Sequence, residues 1–137
     1  MCWNADCLVL IKSLETEDGG GTMANSALFI GWNRSVAGRE QQAMDLFMKV
    51  MEYYGQLQGD GKIESFEPVM LANHGGDLNG FVLIRGDEAK LDEVRREEAF
   101  LNFSIEAGYC LENFGVIRGY IGDSISNIFS QWSKHIS

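Results

Sequence analysis

Arg85 and Arg118 each close a run of aliphatic residues, in Gly80-Phe81-Val82-Leu83-Ile84-Arg85-Gly86 and in Gly115-Val116-Ile117-Arg118-Gly119-Tyr120-Ile121-Gly122. Two guanidinium forks converging on one planar anion would clamp a carboxylate or an enolate bidentately. Their structural alternative is pairing with Glu67 or with an acid of a partner chain, which the cost of leaving a charge unpaired favours. Tyr120 and Trp32 could stack on a ring or donate to its oxygen, although aromatic residues with a polar tip also build interface core. His74, in Asn73-His74-Gly75-Gly76-Asp77, is the one histidine between Ala27 and Gly122, and its side chain suits a general acid or base. With no second group placed beside it by the sequence, a solvated loop histidine is the simpler reading, and no catalytic residue is assigned. His135 fits the C-terminal end of a last helix, where a cation complements the dipole. Glu98 could act as a buried base, but a helix break around it is the simpler account.

The stronger motifs are absent. Gln56 to Lys62 fails as a phosphate-binding loop, because position 56 is not glycine and Ile63 stands where Ser or Thr is needed. Asn79-Gly80-Phe81-Val82 is a faint echo of an RNA-recognition strand, without its basic lead residue or second aromatic. No nucleophile elbow, zinc-protease helix or complete calcium loop occurs, and no cofactor or metal is indicated. Cys2, Cys7 and Cys110 are an odd set without metal spacing, so reduced thiols are expected.

Charge narrows the partners further. Twenty acidic residues against 11 basic ones give a net charge of -9, a field that repels nucleic acid and anionic membrane surfaces. No apolar run approaches the ~18 residues of a membrane span, and the short run Leu8 to Ile11 lacks the flanks of a secretion signal. The chain is expected to be cytoplasmic, and Asn33-Arg34-Ser35 and Asn102-Phe103-Ser104 are taken as chance matches to the glycosylation pattern. With 137 residues and 45% hydrophobic content it can bury a core without disulfides.

These side chains need elements to hold them. Gly19-Gly20-Gly21 reads as a hinge, so residues 1–22 are expected to be a flexible extension, with Leu8 to Ile11 as a peripheral strand the alternative. Residues 23–137 then form one α+β domain. Ala27 to Trp32 is a short apolar strand, followed by a helix with Ala43, Leu46, Phe47, Val50, Tyr54 and Leu57 on one stripe. Met44, Met48 and Met51 widen that stripe; packing filler explains them more simply than a pliable ligand surface. Ile63 to Ala72 is a second strand, placed at an edge or bulged because Pro68 has no N–H to give. Gly80 to Arg85 pairs with it as a hairpin. Asp87 caps the next helix, which is expected to break near Arg96 to Glu98, and Gly115 to Ile121 is the last strand. Gly119 in that strand suits the close approach of a helix. Asp123 or Ser124 should cap a final helix with Ile125, Ile128, Phe129, Trp132 and Ile136 on one face.

Two βαβ halves give a ferredoxin-like βαββαβ order: a four-stranded antiparallel sheet, two helices on one face, an extra C-terminal helix and a bare opposite face. Strand alternation assigns Phe81, Leu83, Arg85, Val116, Arg118 and Tyr120 to the bare face, with Val82, Ile84, Ile117, Gly119 and Ile121 under the helices. In these patterns, and in Ala27-Leu28-Phe29-Ile30-Gly31-Trp32, the chain resembles the dimeric α+β barrel superfamily, across about Ala27 to Gly122. The resemblance implies a homodimer with facing sheets around a cavity. That cavity would be lined by Trp32, Phe81, Arg85, Arg118 and Tyr120 and would take a small organic molecule, with a cofactor-independent reaction on an aromatic or oxo-acid compound as one outcome. The alternative is a non-catalytic assembly or ligand-sensing domain in which the same face only seals the dimer.

Overall fold

The computed structural model describes residues 24–136, and the extension expected over residues 1–22 lies outside them. Eight elements follow one another: β1 (Ser26–Trp32), α1 (Glu40–Gly59), β2 (Ser65–Met70), β3 (Gly80–Gly86), α2 (Glu88–Arg96), α3 (Glu98–Cys110), β4 (Gly115–Tyr120) and α4 (Asp123–Ser133). The strands form one antiparallel sheet in the order β2-β3-β1-β4, which is the ferredoxin-like arrangement. Pro68 lies opposite Val82 on the edge strand β2, where a missing N–H is tolerated.

Register fixes which residues share a face. Leu28 lies opposite Ile84, Ile30 opposite Val82 and Trp32 opposite Gly80. These side chains meet Tyr54 and Leu57 of α1, Leu91 and Val94 of α2 and Phe100 of α3 in the main core. Full burial of side chains such as Leu28, Ile84, Leu91 and Val94 contributes roughly 1.5–3 kcal/mol each. A smaller cluster of Leu46, Ala107 and Cys110 joins α1 to α3.

Local chemistry sets the helix ends. The Asp87 carboxylate accepts from the backbone N–H of Lys90 at 3.2 Å and so caps α2. α2 and α3 are separated by Glu97 alone, whose φ of -63° and ψ of 139° are extended, so the break expected near Glu98 is present. There the Glu97 carboxylate accepts from Lys62 Nζ at 2.7 Å and from the Tyr53 hydroxyl at 2.5 Å. Neither Asp123 nor Ser124 caps α4. Gly122, at φ +59°, is the N-cap, and Ser124 Oγ instead bonds the backbone of Ile121. No residue of α4 is buried.

Where the β2–β3 hairpin closes, Gly80 is pressed under neighbours. A Cβ there would lie 2.8 Å from Cζ2 of Trp32, 2.9 Å from Sδ of Met70 and 3.0 Å from the Val69 carbonyl oxygen.

Candidate functional site

The structure divides the residues expected to share a cavity. Phe81, Leu83 and Arg85 do lie on the face away from the core, with Phe29, Val69 and Ile117 around them. Phe29 and Phe81 stack with centroids 5.0 Å apart. Trp32, Arg118 and Tyr120 are on the other face, and their placement is corrected here. Trp32 points into the core and meets Phe47 edge-on. In β4, Val116 lies beside Ile30, Arg118 beside Leu28 and Tyr120 beside Ser26, so the strand's alternation is the reverse of that expected. Ile117 and Gly119 face outward instead. A Cβ on Gly119 would make only ordinary contact with Ala27, so this glycine admits no helix.

The cause is the limited reach of the helix layer. Val116 packs against the core at the start of β4, whereas Arg118 and Tyr120, further along, remain exposed on the same face. Polar residues on the helix side then cost nothing, and the aliphatic Ile117 can occupy the outer side. The two arginines cannot clamp one anion across a sheet. Arg85 pairs with Glu67 at 3.4 Å, as its structural alternative required, and Arg118 pairs with Glu88. Both ring nitrogens of His74 are engaged within its own loop, Nε2 with the Leu78 carbonyl at 2.7 Å and Nδ1 as acceptor from the Gly76 N–H. The ring thus organises the turn.

A cavity of about 380 Å³ lies on the helix side, between α1, α3 and the sheet. Its apolar wall includes Ile30, Trp32, Val82, Phe47, Phe100 and Phe103. Met44, Met48 and Met70 also line it and are 67, 69 and 63% exposed, which marks where it meets solvent. The reading of Met44 and Met48 as packing filler is therefore corrected: their i, i+4 spacing on the helix stripe was the signal for this surface. The volume falls in the range of small-molecule sites.

The polar groups of the cavity are few. At its rim, Glu40 accepts from the Gly38 N–H at 2.8 Å, and this bond holds its carboxyl below the ordinary value. The Asp45 carboxylate accepts from Gln41 Nε2 at 3.0 Å. Ser104 donates to the Phe100 carbonyl at 2.9 Å. Deeper lies Tyr54, 4% exposed, whose phenol is pushed well above its ordinary value by burial. No lysine, arginine or histidine is among the lining residues. Among the described residues, no cluster of three or more His, Cys, Asp or Glu could hold a metal ion, and no helix is long and apolar enough to cross a membrane.

The sequence matches no protein-family model and no curated protein. Its fold is similar to that of a dimeric protein of unknown function and ferredoxin-like fold from Bacteroides fragilis NCTC 9343, with TM-score 0.52 and 10% identity over 70% of this chain and 96% of that one. SnoaB, a cofactor-independent oxygenase from Streptomyces nogalater, aligns with TM-score 0.45 and 14% identity, over 72% of this chain and 93% of that one. Strand order and the first of these similarities agree on a ferredoxin-like α+β fold, the class to which the strand patterns pointed.

Proposed function

We propose that this chain is a homodimeric protein that binds a small organic molecule in the cavity between α1, α3 and the sheet, with the outer sheet face serving as the dimer seal. The observation that carries the binding reading is the cavity itself: about 380 Å³ of largely apolar space reaching solvent between exposed methionines. The dimer reading draws on the outer face, where Ile117 is 59% exposed beside Phe29, Phe81 and Leu83. The Bacteroides protein of similar fold is dimeric. A ligand held between two sheets would keep Phe81 and Arg85 but lose Trp32, Arg118 and Tyr120, so the helix side is favoured. A reaction on the bound molecule would have to draw its acid–base groups from Tyr54, Glu40 and Asp45, and binding is the part of the reading that the cavity supports.

A thermal-shift screen against uncharged aromatic and oxo-acid compounds tests the reading, run on the native chain and on Ala43→Leu, which fills the cavity wall. A compound at ~100 times its Kd should stabilise the native chain by about 2.7 kcal/mol. The same compound should leave Ala43→Leu unshifted. Equal shifts in both proteins would place the ligand elsewhere, and no shift in either would end the binding reading.

A further inference from the structure

Tyr54 carries the one deep hydroxyl of the cavity lining; the other hydroxyls there, on Ser35 and Ser104, belong to half-buried residues. Its ring is held by Phe66 and Tyr53, each with its centroid 5.8 Å away. Among the described residues the hydroxyl makes no hydrogen bond, and burial alone raises its pKa. A phenol so placed keeps its proton at neutral pH and can only donate to, or weakly accept from, whatever enters. A buried polar group without a partner is uncommon and calls for an explanation.

The charged groups of the lining act by exclusion. Glu40 and Asp45 are the charged residues of the lining, and both are acids. Their field at the mouth, within a chain of net charge -9, opposes entry of a carboxylate, and no guanidinium or ammonium inside would compensate its desolvation.

We infer that Tyr54 is the specificity-determining residue of the cavity, and that the ligand is an uncharged, largely apolar molecule presenting one oxygen acceptor, such as a ketone or quinone carbonyl, to its hydroxyl. The inference rests on the cavity reading above and narrows it: the oxo-acid half of the expected range is disfavoured and the aromatic half retained. Affinity comes from the methionine and phenylalanine walls, and orientation comes from the buried phenol of Tyr54. Because a site built to bond an oxygen leaves its donor stranded when that oxygen is missing, discrimination between ketone and hydrocarbon is expected to be strong.

The test uses three probes of one ring system, with 2-acetylnaphthalene as the ketone, 2-ethylnaphthalene as the hydrocarbon and 2-naphthoate as the anion. Binding is measured by calorimetry or by quenching of intrinsic fluorescence at neutral pH. On the native chain the ketone should bind at least about tenfold more tightly than either other probe, roughly the worth of one made or stranded hydrogen bond. Tyr54→Phe keeps the ring and should erase the preference for ketone over hydrocarbon, weakening the ketone and leaving the hydrocarbon bound no more weakly than by the native chain. Its folding is checked by circular dichroism, and the native-chain ranking stands as a test that needs no variant. Equal binding of the naphthoate, or a ketone preference that survives in Tyr54→Phe, overturns the inference and leaves the cavity reading intact. Failure of all three probes to bind overturns both.

Discussion

Glu97 shows how one residue can hold an architecture. Its carboxylate, at the joint between α2 and α3, accepts from Lys62 and from Tyr53, and these bonds lower its pKa below the ordinary 4.5. Such a depressed carboxyl contributes stability that is complete above 4.5 and is lost as the pH falls through its lower folded value. Lys62 is raised above 10.5, chiefly by its bond to Glu97, so its share is complete below 10.5 and is lost as the pH rises through the higher folded value. Urea unfolding followed against pH should therefore show an acid limb that Glu97→Gln flattens and Tyr53→Phe flattens in part. An unchanged limb in Glu97→Gln would show that other carboxylates govern it. Asp87 supplies a second test at this scale. Asp87→Ala removes the α2 cap and should cost about 0.5–2 kcal/mol in the same assay.

Among the elements, β4 separates what alternation can reveal from what it cannot. In β3 the alternation was legible: Val82 and Ile84 are buried while Phe81, Leu83 and Arg85 are half-exposed, because helices cover the whole strand on one side. The long helix stripe, the Pro68 edge, the Asp87 cap and the break at Glu97 were legible for similar reasons, each being a local constraint written in neighbouring residues. In β4, cover ends partway along the strand, so Arg118 can lie on the helix side and Ile117 away from it. No periodicity in the sequence records where a neighbouring layer stops. The cavity was illegible for the same reason, since it is a gap between elements distant in sequence, and Met44 and Met48 alone hinted at it. The corrected phase makes a prediction: Val116→Asp puts a charge against the core and should lower stability by about 2 kcal/mol or more. Arg118→Ala, on an exposed and salt-bridged site, should change it by no more than about 0.5 kcal/mol. The reverse ranking would restore the original alternation.

At the scale of the whole molecule, charge works against the proposed assembly. Each copy carries a net charge of -9, so two copies repel while their apolar faces attract. Salt screens the repulsion and leaves the apolar contact, so raising it from ~0.02 to ~0.2 M should tighten the dimer, as read by light scattering on a size-exclusion column. Ile117→Asp should give monomers of unchanged circular dichroism; a dimer that persists would mean that another surface joins the copies.

Gly80 gives the hairpin a further significance. The indole and the thioether that crowd it are also two walls of the chamber, so one added methyl group at this position would have to push one of them inward or force the β2 backbone aside. The shape of the chamber is thereby tied to the tightness of a strand junction whose glycine is not itself one of the walls, and a single carbon atom there could narrow the room from behind.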